Sequence, residues 1–134
     1  MKVVNKTFEI NTRKQDMVNI DSYVNKAINE SNVKNGQVVV FCFHTTAAIT
    51  INENADPDVI GDMLFAFDKV FPNLKEFKHF EKNSDAHIKS SVVGCQQTLI
   101  LENKKLLLGM WQSIYFCEFD GPRRRKFVVN IIGE

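Results

Sequence analysis

Disulfide chemistry, membrane spans and an excess of one charge are all scarce in this chain. Its three cysteines, Cys42, Cys95 and Cys117, form an odd set without a CxxC pair. Each stands in an apolar run, which favours buried, reduced thiols over a disulfide framework. No apolar stretch approaches the length that a bilayer span requires. The opening Met1-Lys2-Val3-Val4-Asn5-Lys6 lacks the apolar centre of a secretory signal, so a cytoplasmic location is expected, with no membrane partner. Lys and Arg number 17 against 16 Asp and Glu, a formal net charge of +1. That balance excludes a polybasic nucleic-acid tail and an acidic buffer protein, and it leaves little repulsion between copies. With only 3 prolines and 6 glycines, the chain has no flexible linker. GxGxxG, the Walker loop, GxSxG, DxDxDG and helical HExxH are all missing, which removes support for the standard nucleotide, hydrolase, EF-hand and zinc-protease readings.

What is present is one domain's worth of chain: 134 residues and 15.4 kDa, 44% of them hydrophobic. Such a chain buries roughly two-thirds of its unfolded surface and needs no staple to fold. Residues 1–134 therefore read as a single domain. Val4 to Ile10 alternates apolar and polar residues as a strand does. Tyr23, Val24, Ala27 and Ile28 give Ile20 to Asn32 a helical stripe, with Asp21 or Ser22 as cap and Asn35-Gly36 as stop. Gln37 to Phe43 and Ala47 to Asn54 read as strands. Asp56-Pro57 starts a second helix that buries Val59, Ile60, Met63, Leu64, Phe67 and Val70 and ends before Pro72. From Ala86 onward the chain reads as strand: His87 to Val93, Gln97 to Leu101, Leu106 to Phe119 and Lys126 to Ile132, with a hairpin at Asn103-Lys104. The expected class is α+β: a β-rich, antiparallel-dominated sandwich or half-barrel with two helices inserted in the first half.

Polar residues inside apolar runs are the candidates for chemistry. His44 closes a strand and precedes Thr45-Thr46; such a histidine serves as ligand, general base or packing residue. His79 and His87 flank a polar segment, and three imidazoles from separate elements are enough for an open metal site. On a strand, Asp85, His87 and Lys89 would share one face, with the carboxylate orienting the imidazole. Gln112, Glu118 and Asp120 share parity further on. A lone Glu118 between aromatics is costly to bury and needs a cation, a metal or water, and Arg123, Arg124 or Arg125 can supply the cation. The same arginines present forks for a phosphate or carboxylate. Glu53, before the Asp56 turn, is a further polar candidate.

Four segments together resemble the YjbQ-like family, described as secondary thiamine-phosphate synthases. They are His44-Thr45-Thr46-Ala47-Ala48 running to Asn52-Glu53-Asn54-Ala55-Asp56-Pro57; Asp85-Ala86-His87-Ile88-Lys89 with Ser91 and Gly94; Leu108-Gly109-Met110-Trp111-Gln112; and Glu118-Phe119-Asp120-Gly121-Pro122-Arg123. Their order and separations match from about Lys6 to the C-terminus. The resemblance implies a compact β-rich domain that forms a homotrimer, with a divalent metal, zinc foremost, at His44, His79 and His87. It implies a reaction in which a pyrimidine diphosphate joins a thiazole phosphate, giving thiamine phosphate and pyrophosphate, with Mg²⁺ the metal of that synthase chemistry. The expected catalytic residues are His44, Asp85, His87 and Glu118. Thr45, Lys89, Gln112 and Arg123 are expected to hold a phosphorylated small molecule. The alternative is a non-catalytic trimeric protein that captures a metal or small anion, and a third reading has the histidines merely packing.

Overall fold

In the computed structural model, which describes Met1–Glu134 throughout, alternation and turn chemistry become eight strands and three helices. In chain order they are β1 (Lys2–Asn11), β2 (Asp16–Asn19), α1 (Asp21–Ser31), β3 (Gly36–Cys42), β4 (Ala47–Glu53), α2 (Pro57–Val70), α3 (Ser84–Val93), β5 (Gln96–Glu102), β6 (Lys105–Leu106), β7 (Gln112–Glu118) and β8 (Arg124–Gly133). Every strand pair is antiparallel, in a five-stranded sheet of order β1-β8-β3-β5-β6 and a three-stranded sheet of order β2-β7-β4. The α+β class with an antiparallel, half-barrel sheet system is as expected.

Side-chain alternation explains the layering. On β7, Ile114 and Phe116 enter the core between the sheets, where they meet Val38, Val40, Phe127, Val129 and Ile131 of the large sheet and Val24 and Ile28 of α1. Tyr115 and Cys117, pointing the other way, join Ala48 and Ala86 in a second cluster against α2 and α3. β7 is thus covered on both faces, which accounts for its unbroken apolar text.

The structure corrects several expectations. His87 to Val93 is not a strand but part of helix α3. The buried residues of α3 are Ala86, Lys89 and Ser90, a helical spacing composed mostly of polar groups, so a search for apolar periodicity passes over it. The Leu106–Phe119 run breaks into β6, a loop and β7, because Leu107, Met110 and Trp111 remain exposed. Strand β2, too short to show a period, pairs with β7 from Asp16↔Glu118 to Asn19↔Tyr115. Asp21 does not cap its helix; its carboxylate accepts from Ser113 Oγ and the Ile114 amide and so pins α1 to β7. Asp56 caps α2 as expected, accepting from the Asp58 amide at 2.9 Å. Asn103 and Lys104 adopt φ of 51° and 65°, the left-handed pair of a tight hairpin.

One buried ion pair closes the end of the inter-sheet core. Glu118 continues the inward parity of Ile114 and Phe116, and Arg125 continues that of Phe127 and Val129 on β8. They are 0% and 4% exposed. Arg125 donates through Nε, at 2.7 Å, and through Nη2 to the two Glu118 oxygens. Removing one member strands the other charge, so Arg125→Ala is expected to cost about 3–5 kcal/mol. Urea denaturation of wild type and variant measures this, and a loss below about 1 kcal/mol contradicts the assignment.

Candidate functional site

Above that ion pair lies a polar cavity of about 380 Å³, lined by His44, Thr45, Thr46, His79, Glu81, Asn83, His87, Arg123 and Arg125, with Phe43 the one hydrophobic contributor. Five parts of the chain meet there. The turn leaving β3 brings His44, Thr45 and Thr46, and the connection before α3 brings His79, Glu81 and Asn83. The helix itself contributes His87, the turn after β7 Arg123, and the start of β8 Arg125.

The floor is fully bonded. Thr12 Oγ1 also donates to Glu118, Arg125 Nη2 donates to Thr46 Oγ1 at 2.8 Å, and Glu118 Oε2 accepts the Asp120 amide at 3.0 Å. Arg123 is held by its own turn, donating Nε to the Asp120 carbonyl at 2.8 Å and Nη2 to Asp120 Oδ2 at 2.9 Å. That turn needs glycine at 121: a Cβ there would lie 1.9 Å from the Arg13 carbonyl oxygen. At the rim, the backbone amides of Thr45 and Thr46 meet no protein acceptor, and the exposed Thr45 hydroxyl is unpaired.

The three histidines do converge on this cavity. The His79 and His87 rings lie edge to face with centroids 5.4 Å apart, and His79 Nε2 is 4.0 Å from Glu81. His44 is tied down differently: its Nε2 accepts the Lys126 amide at 2.8 Å. Burial lowers its pKa below the ordinary 6.5, and the positive charge of Arg125 adds to the effect. A neutral ring whose Nε2 accepts carries its proton on Nδ1, so His44 keeps one ring donor.

This arrangement does not fit a zinc ion held by His44, His79 and His87. A ligating imidazole needs a free lone pair, and the Lys126 amide occupies the one His44 has.

Other expected site residues lie elsewhere. Once Ser84–Val93 is a helix, residues two apart fall about 200° around its axis, so Asp85 and Lys89 face away from His87. Lys89 is 0% exposed, and its ammonium bonds Asp68 and Asp85, locking α3 to α2. Burial pulls the Asp68 carboxyl upward, but the bonds from Lys89 and Gln15 outweigh it and hold the group below its ordinary range. Gln112 is at the opposite end of β7 from Glu118, about 20 Å along the strand, and accepts the Gly109 amide. Glu118 is bonded on both oxygens and lies beneath the cavity. Glu53 accepts the Ala55 amide at its own turn. Glu81 and Asn83 were not among the expected site residues, whereas Arg125 was expected as one of three arginines for Glu118 or an anion. An Asn-Ser-Asp helix start at 83–85 was a legible signal for Asn83.

The matches to known proteins bear on the whole fold. The family model described as UPF0047 protein YjbQ-like matches residues 6–134. The UPF0047 protein MJ1081 of Methanocaldococcus jannaschii is 54% identical over 95% of this chain and 93% of its own. YugU of Bacillus subtilis is 51% identical over 96% and 98%. A crystal structure of an uncharacterised family member from Clostridium acetobutylicum, 55% identical, superposes with a TM-score of 0.93 over 95% of this chain and 99% of that one. A YbjQ-like protein of unknown function from Sulfolobus solfataricus reaches 0.94 at 31% identity, over 99% of both chains.

A depressed His44 pKa means the folded state favours the neutral ring. The stabilisation it brings is complete above the ordinary 6.5 and is lost as pH falls through the lower folded value. The stability gap between wild type and His44→Ala is therefore expected to be larger at about pH 7.5 than at about pH 5. Urea midpoints at the two pH values measure it, and a gap that widens on acidification reverses the assignment. In an NMR titration the His44 ring is expected to titrate below 6.5.

Proposed function

This chain belongs to the UPF0047 YjbQ-like family, and on that premise we propose that it acts on a phosphorylated small molecule bound in the histidine–arginine cavity. The reaction proposed is the joining of a pyrimidine diphosphate to a thiazole phosphate, with release of pyrophosphate. The observation that supports this reading is the convergence of two guanidinium groups, unpaired threonine donors and three imidazoles on one polar cavity.

Loss of pyrophosphate leaves charge on the departing oxygens, and preorganised donors lower the barrier most when they are already in place. Arg125 is preset by Glu118 and Thr46, and Arg123 by Asp120, so neither has to reorganise. The Thr45 and Thr46 amides add neutral donors beside them. His87, whose ring forms no hydrogen bond to other protein groups, is free to give a proton to a departing pyrophosphate oxygen, and His79 packs against it. Glu118 acts as a positioning residue for Arg125. Magnesium carried by the diphosphate would supply further positive charge to the departing oxygens.

Supplied with both precursors and Mg²⁺, the purified protein is expected to form thiamine phosphate, and His87→Ala to lower the rate about 10²- to 10⁴-fold. Equal turnover by that variant removes His87 from the chemistry. Saturable pyrophosphate binding without turnover would instead favour the anion-capturing alternative.

A homotrimer belongs to the same reading. Helix α2 carries Ile60, Met63, Leu64 and Phe67 toward the second cluster yet has no buried residue, and Phe65 and Val70 are 65% and 66% exposed. Apolar surface on this scale suits burial against further copies of the chain. Light scattering is expected to give three times the 15.4 kDa chain mass, and Phe65→Lys to lower it.

A further inference from the structure

The histidine cavity does not end at its imidazoles. A second lobe of about 510 Å³ shares His44, Thr45 and His87 with it, so these three form a common wall between the two spaces. Ser90, Ser91, Gly94 and Cys95, from the end of α3 and the residues that follow, complete the second lobe. Its volume falls within the roughly 300–1,000 Å³ of pockets for small organic ligands.

The two lobes differ in chemistry. Arg123, Arg125 and Glu81 line the first, whereas no Lys, Arg, Asp or Glu lines the second. An anion therefore finds its counter-charges on one side of the shared wall only. The second lobe still offers polar contacts. Ser90 donates to the Ala47 carbonyl at 2.6 Å, while the exposed Ser91 hydroxyl and Cys95 thiol have no protein partner. Gly94 is held at a φ of 102°, its amide donating to the Ser90 carbonyl and its carbonyl accepting the Ile49 amide. That φ disfavours any side chain, and a Cβ built there would meet no atom within 4 Å. The backbone thus keeps this part of the lobe bare. Bare backbone and a polarisable thiol beside hydroxyls suit a neutral ring with hydrogen-bonding atoms better than a second phosphate.

We propose that the second lobe binds the uncharged ring of the substrate while the arginine lobe holds its diphosphate, with Ser91 and Cys95 as specificity-determining residues. This inference rests on the phosphorylated-substrate reading above and adds the placement of the substrate's two halves. Ring and anion then lie on opposite sides of the shared wall. The bond that joins them crosses the wall that carries His87, the residue assigned the proton for the departing oxygen. A ligand that is all anion, such as pyrophosphate, fills the arginine lobe alone.

Alkylation of Cys95 tests this in the full-length protein. Burial pushes the Cys42 and Cys117 thiols up to about 11 and about 12, so iodoacetamide reacts at the exposed Cys95, and intact mass follows the reaction. A pyrimidine diphosphate at about ten times its Kd is expected to slow it roughly tenfold, because about a tenth of the sites stay empty. Pyrophosphate at the same multiple of its own Kd should leave the rate unchanged. Once alkylated, the protein is expected to bind the pyrimidine diphosphate roughly tenfold more weakly. Its pyrophosphate affinity, which also reports the fold, should be unaltered. Equal protection by the two ligands, no protection by a bound pyrimidine diphosphate, full affinity of the alkylated protein for it, or loss of both affinities would each overturn the proposal. So would binding of pyrophosphate without binding of the pyrimidine diphosphate. Failure of both ligands to bind the untreated protein would remove the underlying reading, and the proposal with it.

Discussion

The Glu118–Arg125 pair governs the end of the molecule where the site forms. Both residues point inward along strands whose other inward positions are apolar, so each charge left alone there would cost several kcal/mol. Together, with Thr12, Thr46 and the Asp120 amide completing their bonds, they make that end of the core a rigid polar floor. The pair also joins the two sheets, since Glu118 ends β7 and Arg125 stands second in β8 on the other. The turn between them carries Arg123, and the next segment carries the Lys126 amide that fixes His44. A change in the floor is therefore felt at the arginines and at one histidine together.

Helix α3 provides the second constraint. One face is anchored by Lys89, whose ammonium is buried between Asp68 and Asp85, and by Ser90, which donates to the Ala47 carbonyl at 2.6 Å. His87, about 200° around the axis from Lys89, reaches the cavity with His79 and His44. Asn83, just before the helix, sits where the histidine cavity meets a separate polar cleft lined by Asp120.

Much of this was legible in the chain. The strand runs of β1, β3, β4, β5 and β8, the Asp56-Pro57 helix start and the Asn103-Lys104 hairpin are local signals, and they appear where they were expected. Glu118 was correctly marked as a carboxylate in need of a cation, with Arg125 among the candidates. His44, His79, His87, Thr45 and Arg123 all reach one cavity. Asp85, Lys89 and Gln112 do not. The first two were placed by strand parity in a segment that is helical, and the third shares a parity with Glu118 but lies at the far end of its strand. A helix whose buried face is Ala, Lys and Ser has no apolar period to betray it.

The chain alone determined which groups had to be satisfied: a buried carboxylate, histidines at element ends, apolar faces at period two, and the resemblance carried by four short motifs. Only the tertiary structure decided which partner satisfies which group. Arg125 rather than Arg123 neutralises Glu118, the Lys126 amide takes the His44 lone pair, and Asn83 Oδ1 is left without a donor. Periodicity and capping are properties of neighbouring residues and can be read along the chain. A hydrogen bond such as that from the Lys126 amide to His44, 82 positions apart, depends on how the sheets close, and no local signal records that.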